Sequence, residues 1–523
     1  MQRKTFVGGI IVIIVLAAAS FIWGVDNPKT ANNDDRGSKL ATLDDIKDKR
    51  IGVLLGSIHD IYVATTYPEA TLMQYKSPSD MILAVKAGKV DVAIYTHETM
   101  QEIIREDQDL AFLVKNIYRI PIGMGFNQDN DVLREEFNAF LQQTKEAGIF
   151  DQVVKRWMDS SNPRMPLIEN PRNNGTLVVG YVSDKGLPFA AIQDNQVVGF
   201  DIELTERFAA YLGKDLKLMD MEFGSLIAAV ASNKIDMIAS TLVINDERKK
   251  QIDFSDQYYE LGASAFALKK NIASSGGNGK TEPDKKTSVS FLQGLANSFY
   301  ANIILENRYL LIVDGLKTTA LISLLAVVFG TTLGAFICFM RMGKNKLLQA
   351  IARIYISILR GIPVLVLLML VFYVVFASIN INPIIAAVIA FGMNFAAYVS
   401  EMFRTSIESI EPGQKEAGIA GGFTAVQTFI YIIMPQAIRQ VLPVYKGEFI
   451  SLVKMTSVVG YIAVQDLTKA SDIIRSRTFD AFFPLVMVAV LYFLLSWLLG
   501  LALDYLAIKT DPKRKRNLGR VGA

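Results

Sequence analysis

The sequence predicts a chain of two classes, an α/β domain of two lobes within residues 43–270 and an all-α transmembrane domain over 305–510. Three observations predict it. Apolar residues make up 51% of the chain and mean hydropathy is +0.29, high for a soluble protein, and the long apolar runs gather in 309–508. A helix-then-strand pattern occurs twice in the earlier part, at 81–96 and again at 226–241. Basic residues collect after some apolar runs and avoid the loops between others, the asymmetry that a bilayer imposes. With 523 residues the chain is also too long for one core.

The elements follow in order. Phe6–Trp23, behind Arg3 and Lys4, is apolar and long enough to span a bilayer. Residues 1–24 read as an anchor in preference to a cleaved signal, because no small-x-small site precedes the polar linker 25–42. Residues 43–160 and 175–270 hold the two copies, MILAVKAGKVDVAIYT (81–96) and LIAAVASNKIDMIAST (226–241). A gapless alignment matches Ala84 with Ala229, Val85 with Val230, Lys89 with Lys234, Asp91 with Asp236 and Thr96 with Thr241. The apolar runs IGVLLG (51–56) and LVVGY (177–181) precede them, so each copy reads as βαβ, the unit of a parallel sheet. Ligands of such sheets bind beyond the carboxyl ends of strands, where Thr96 and Thr241 fall. Two facing lobes then close on a ligand about a hinge. The proline-rich stretch 161–174 reads as a linker, and so does the Gly/Ser-rich and charged 271–304.

Five spans are expected in the second part, near 315–340, 358–379, 383–404, 425–452 and 481–508. Pro435, Pro443 and Lys454 interrupt the fourth. Arg341, Lys344, Lys346 and Arg353 follow the first, and KRKR (Lys513–Arg516) follows the last, in the basic tail 511–523. The positive-inside rule makes both stretches cytoplasmic. With 6–23 the spans number six, and residues 24–308 lie outside the cytoplasmic membrane.

Several chemistries are excluded. A net charge of +3 gives no ground for a nucleic-acid partner. The single cysteine, Cys338, allows no disulfide framework. His59 and His97 both fall in loops expected to line the cleft, but two ligands are too few for a metal site. SSGGNGKT (274–281) imitates the end of a phosphate loop, yet Ser274 stands in place of the first glycine and EPDKK follows instead of an apolar helix. The chain therefore reads as no enzyme, without a cofactor and without an ATPase of its own.

GFDIELTERFAAYLG (199–213), FGSLIAAVASNKIDMIAS (223–240) and ERKKQIDFSDQYY (247–259) resemble the first lobe of periplasmic binding proteins for polar amino acids. DDIKDKRIGVLLGS (44–57), AGKVDVAIYT (87–96) and IPIGMGFNQDN (120–130) resemble the second lobe, and 133–158 the closing helices that pack back on the first. The order is inverted, so the resemblance implies a circular permutation, or two truncated copies that complete each other. The new ends are expected near the hinge, with 263–270 leading toward 43–49. The resemblance makes Arg248 the partner of a ligand carboxylate and Phe223 an aromatic wall. Ser240, Thr241, Thr96 and Ser57 are the further candidates. The competing readings are a surface arginine in a basic run and plain core packing for the phenylalanine. Gly186 replaces the usual aromatic, Val243 and Ile58 replace hydroxyl residues, and Thr96 replaces the acid that usually meets the α-ammonium. A buried ammonium without a carboxylate is costly, so another small carboxylate is an alternative solute.

GQKEAGIAGGFTAVQTFIYIIMPQA (413–437) resembles the EAA loop of binding-protein-dependent ABC permeases. Glu416, Ala417, Gly422 and Pro435 match, while Gly418 and Gly421 depart from it. The resemblance implies a coupling helix that docks on a separate ATPase, and a permease homodimer. Lys454, Thr456 and Ser457 are candidates for the translocation path, with helix capping as the competing role. The expected function is thus the membrane subunit of an importer with a tethered binding domain, in the bacterial cytoplasmic membrane. A ligand-sensing receptor is the rival, and the EAA loop argues against it.

Overall fold

A computed structural model describes residues 39–160, 163–273, 296–377, 379, 381–478, 480 and 482–510. The expected anchor, the phosphate-loop lookalike and the basic tail lie outside the described residues.

Two five-stranded sheets, one for each lobe, and a small hairpin of Ala191–Gln193 with Gln196–Val198 form the α/β part. The second-lobe sheet runs, in spatial order, Thr71–Tyr75, Arg50–Leu54, Val92–Thr96, Tyr259–Leu268 and Leu110–Ile122. Its first three strands are parallel and the last two antiparallel. The first-lobe sheet runs Asp253–Phe254, Gly125–Phe126, Met237–Ile238, Thr176–Tyr181 and Asp215–Asp220. The sequence repeat has a structural meaning here. The Asp91 carboxylate accepts the backbone N–H of Arg50 at 3.0 Å, and the Asp236 carboxylate accepts that of Val178 at 2.7 Å. In both lobes the repeated aspartate ties its strand to the neighbouring one.

The lobes exchange strands, which corrects the expected division at residues 160 and 175. Tyr259–Leu268 lies between two second-lobe strands, and Gly125–Phe126 belongs to the first-lobe sheet. Long pairing with Leu110–Ile122 buries Gly262 to Leu268 against the second lobe. The hinge is therefore the pair of crossings at 122–125 and 254–259.

A second correction concerns the ends. Leu40 and Ile272 bridge in parallel, with Leu40 N–H donating to the Asn271 carbonyl and Ala273 N–H to the Leu40 carbonyl. Strand Tyr259–Leu268 leaves the hinge beside Thr96 and ends past the start of strand Val92–Thr96. The ends consequently meet at the back of the second lobe, far from the hinge.

The helices Asp131–Glu146 and Ile149–Val154 pack on the first lobe. Phe137 meets Phe208 edge-on at 5.0 Å, and Trp157 Nε1 donates to the buried Glu203 at 2.7 Å. Residues 163–174 follow that lobe's surface as irregular chain, with Asn174 Nδ2 donating to the Leu212 carbonyl at 2.9 Å.

In the helical part, Tyr309–Met342 and Pro383–Glu408 lie against each other along small residues. A Cβ on Gly330 would stand 2.6 Å from the Gly392 carbonyl oxygen, and one on Gly334 2.9 Å from that of Ala396. Backbone contact this close is how helices associate in lipid, where apolar side chains gain little over the tails. Among the described residues, three helices are long and apolar enough to cross a membrane, or up to five if each bent pair is one span. The expected span 358–379 is corrected: helix Lys346–Gly361 meets segment Val364–Val375 at 110°. Pro363 causes the break, because it disfavours the helical conformation at Ile362 and supplies no N–H. The expected span 425–452 extends through Ala425–Ile462 and bends by 58° into Leu467–Arg475.

Candidate functional site

A cavity of about 310 Å³ opens between the lobes. Leu55, Gly56 and Lys76 line it from the second lobe, and Phe223, Leu242 and Arg248 from the first. Arg248 reaches it from a short helix, Asp246–Lys249, capped by the Asn245 side chain. Its guanidinium is buried and spans the cleft, donating to the Val243 carbonyl on one lobe and the Gly56 carbonyl on the other, each at 3.1 Å. It has no ion-pair partner among the described residues, and burial pulls its pKa down to about 10. Removing a cation from water without a counter-charge is expensive.

Phe223 sits in the helical turn Phe223–Ser225, with the Arg248 guanidinium 5.4 Å from its ring centre. Lys185 Nζ stands 4.4 Å from the same ring. Thr241 holds a positive φ of 46°, uncommon for a β-branched residue, and its N–H donates to the fully buried Asp201 at 2.8 Å. Asp201 also accepts the Tyr258 hydroxyl at 2.8 Å, and burial raises its pKa to about 6. Ser240 Oγ is buried and without a hydrogen-bond partner among the described residues. On the second lobe, Ser57 caps helix Ile58–Thr66, its Oγ accepting from Asp60 N–H. Thr96 is buried at the head of helix His97–Glu106 and caps nothing with its side chain.

The histidines are engaged singly. His59 Nδ1 lies 2.8 Å from the Tyr118 hydroxyl, and burial, with the nearby Lys185 charge, holds its pKa near about 3. His97 Nδ1 lies 2.9 Å from Ser264 Oγ. No group of three His, Cys, Asp or Glu comes together for a metal among the described residues.

Glu222 is the carboxylate among its lining residues, on the first lobe, and Tyr461 of the helical part completes the wall. Around it the α/β part is docked on the helices. Lys76 Nζ donates to the Tyr461 hydroxyl at 2.9 Å, and Lys469 pairs with Asp220 at 3.5 Å. Arg475 pairs with Asp80, and Lys234 Nζ donates to the carbonyls of Phe376 and Ile379. One apolar cluster continues from Met221, Leu226 and Leu242 into Phe372 and Tyr373.

At the other end of the helical part, Pro412–Ala420 forms a short exposed helix that carries Glu416 and Ala417 on its surface. Gly422 follows at φ 86°, where glycine is the easy residue. A Cβ on Gly418 would lie 2.6 Å from Thr428 Cγ2, which explains glycine there. Ile419, Val426 and Tyr431 expose their side chains nearby.

This arrangement agrees with the comparisons. The family described as binding-protein-dependent transport system inner membrane component matches residues 318–511. Bacterial extracellular solute-binding proteins, family 3, match residues 177–360. A probable amino-acid ABC transporter permease protein of Bacillus subtilis is 37% identical over 182 residues, 35% of this chain and 80% of that protein. A putative glutamine transport system permease protein of Rickettsia felis is 31% identical over 37% of this chain and 89% of its own length. The chain belongs to the ABC importer permease family. A solved amino acid ABC transporter with histidines is 33% identical, covers 42% of this permease and 99% of its own chain, and has a TM-score of 0.37. The permease is a multi-pass inner-membrane protein, carries a fused solute-binding domain and implies an ATPase partner.

Among the residues singled out in the sequence, Arg248 and Phe223 stand together on the cavity wall. Thr456 Oγ1 donates to the Val453 carbonyl at 2.7 Å, the capping role, while Lys454 is exposed. Lys185 and Tyr461 were not singled out, and Lys234 was matched to Lys89 only as part of the repeat. The signal for Lys185 was its place in DKGLPF, beside the glycine that departs from the binding-protein pattern.

Proposed function

We propose that this permease imports an amino acid, or a closely related small carboxylate, captured by its own binding domain on the outer side of the membrane. The observation that carries this reading is the shared cavity, bounded by both lobes and by Tyr461 of the permease. Its volume suits a small solute. Arg248 is ready to exchange backbone carbonyls for a carboxylate through two charge-assisted bonds. Glu222 offers an ammonium the acidic partner that Thr96 does not. Ser240, Thr241, Ser57 and Thr96, the further candidates, do not line this cavity and remain candidates for contacts in a more tightly closed cleft. The names of the relatives favour an amino acid.

Solute held by both lobes stabilises the closed, docked form. It then leaves past Tyr461 toward the interrupted spans, where Lys454, Thr456 and Ser457 lie. A separate ATPase supplies the energy and engages Glu416, Ala417 and Gly422. Two permease copies form the pathway, so each transporter carries two binding domains. The basic residues after the first and last spans favour a cytoplasmic coupling helix and an external binding domain. We read that domain as circularly permuted. The Leu40–Ile272 bridge and a family-3 match that begins at Leu177 support this.

The test is thermal melting of the purified full chain against amino acids and small carboxylates, since a bound ligand raises the melting temperature by mass action. Uptake by membrane vesicles follows, with Glu416→Ala. Uptake should vanish while binding persists. Unchanged uptake would remove the coupling role, and no melting shift with any carboxylate would remove the binding role.

A further inference from the structure

A second cavity, of about 230 Å³, lies within the helical part, and no residue of the lobes lines it. Ala335, Cys338 and Phe339 reach it from one face of helix Tyr309–Met342, at the spacing of neighbouring turns. Phe403 and Ile407 reach it from the last turns of Pro383–Glu408, and Phe429 from the segment Phe429–Ile433. Among the described residues, the only polar side chains in this wall are Ser406 and Cys338, whose thiol lies 3.7 Å from Met342 Sδ. Ordered water needs two to four polar partners, and an apolar cavity of about 150 Å³ takes benzene instead. Such walls gain dispersion contacts from an apolar guest alone. Phe339, Met434 and Ile438 line the cavity and are also exposed, so it opens sideways between helices that the bilayer surrounds. Cys338 lies four residues before the helix end at Met342, about 6 Å along the axis. Just beyond that end stand Lys344 and Lys346, both exposed, and among the described residues no carboxylate pairs with either. Arg341 and Arg404 are already matched by Glu401 and Glu408. Phe429 meets Phe339 edge-on at 5.9 Å, and it follows Thr428, the residue packed against Gly418 of helix Pro412–Ala420.

We propose that this cavity holds an acyl chain of an anionic phospholipid, with the lipid phosphate on Lys344 and Lys346. The chain fills the apolar space between the helices, and the head group lies at the level where the basic residues emerge. The lipid braces Phe429 and, through Thr428, the support of the coupling helix. The site is separate from the solute cavity and stands whatever the solute is.

Alkylation of Cys338, the one thiol of the chain, reports on the cavity. The full chain is treated with N-ethylmaleimide in nanodiscs of phosphatidylcholine, with and without phosphatidylglycerol. Phosphatidylglycerol should slow the reaction roughly tenfold or more, the effect of two basic residues on an anionic lipid. Lys344→Gln together with Lys346→Gln should remove most of that protection. Ala335→Leu, which fills the cavity from its own wall, should slow alkylation in both lipids and abolish the difference between them. Equal rates for the unaltered chain in the two lipids would overturn the proposal, and so would protection that survives the double lysine variant. Protection that follows the number of chains per nanodisc instead of the lipid assigns the cavity to a second copy and overturns it too. If Ala335→Leu does not fold, the exposed lysine pair decides. Mass spectrometry after mild detergent extraction should find phosphatidylglycerol retained on the unaltered chain, and its absence there would also count against the site.

Discussion

Lys76 Nζ donates a 2.9 Å hydrogen bond to the Tyr461 hydroxyl, so the second lobe and the permease meet at the wall of the solute cavity. Tyr461 is also held from the membrane side, because the Tyr373 hydroxyl donates to its carbonyl at 2.8 Å. One side chain thus closes the cavity and answers to both halves of the protein.

Tyr461→Ala should lower uptake roughly tenfold, the effect of losing one such contact on the path. Solute affinity should change little, because Arg248 and Phe223 are untouched. Tyr461→Phe, which loses only the Lys76 bond, should fall between. Vesicle uptake and calorimetry measure the two quantities, and full uptake by the alanine variant would take Tyr461 off the path.

Arg248→Ala should weaken carboxylate binding by about a hundredfold, the scale of lost charge-assisted hydrogen bonds. Arg248→Lys should recover only part of it, since an ammonium lacks the planar fork. Titration calorimetry reads both.

Carboxylate affinity should fall as pH rises from about 6 to about 9. The buried charges behind the cleft wall explain the sign. Lys185, lowered to about 8, loses its positive charge in the upper part of this range. Asp184, raised by burial to about 7, and Asp201, raised to about 6, gain negative charge in the lower part. All three changes oppose an anion. Arg248 stays charged through most of the range, and His59 stays neutral throughout. Lys185→Arg should flatten the upper part of the profile, measured by binding at fixed ionic strength.

Gly418→Val should reduce uptake strongly and leave solute binding unchanged. The new Cβ would meet Thr428 Cγ2 at 2.6 Å and push the coupling helix off its support. Overpacking of this kind costs about 1–3 kcal/mol locally. Normal uptake by the variant would show that the helix tolerates displacement.

The repeat was legible because Asp91 and Asp236 do the same job in both lobes, and equal tasks leave equal residues in equal register. The strand exchange was not legible. Tyr259–Leu268 follows first-lobe sequence, and only pairing with Val92–Thr96 and Leu110–Ile122 moves it to the other sheet. The bend at Pro363 was written in the chain, but mean hydropathy over 358–379 is blind to one backbone N–H. Arg248 and Phe223 were legible through their motif. Lys185 was harder, because loops carry no periodicity to show which way a side chain faces. The docking roles of Lys234 and Arg475 were not legible, since their partners, Ile379 and Asp80, lie far away in sequence.

The bridge between Leu40 and Ile272 has a mechanical consequence. The chain enters and leaves the binding domain at one point on the back of one lobe. A pull on either connection is borne there and never crosses the hinge. The lobes can open and shut without winding their attachments.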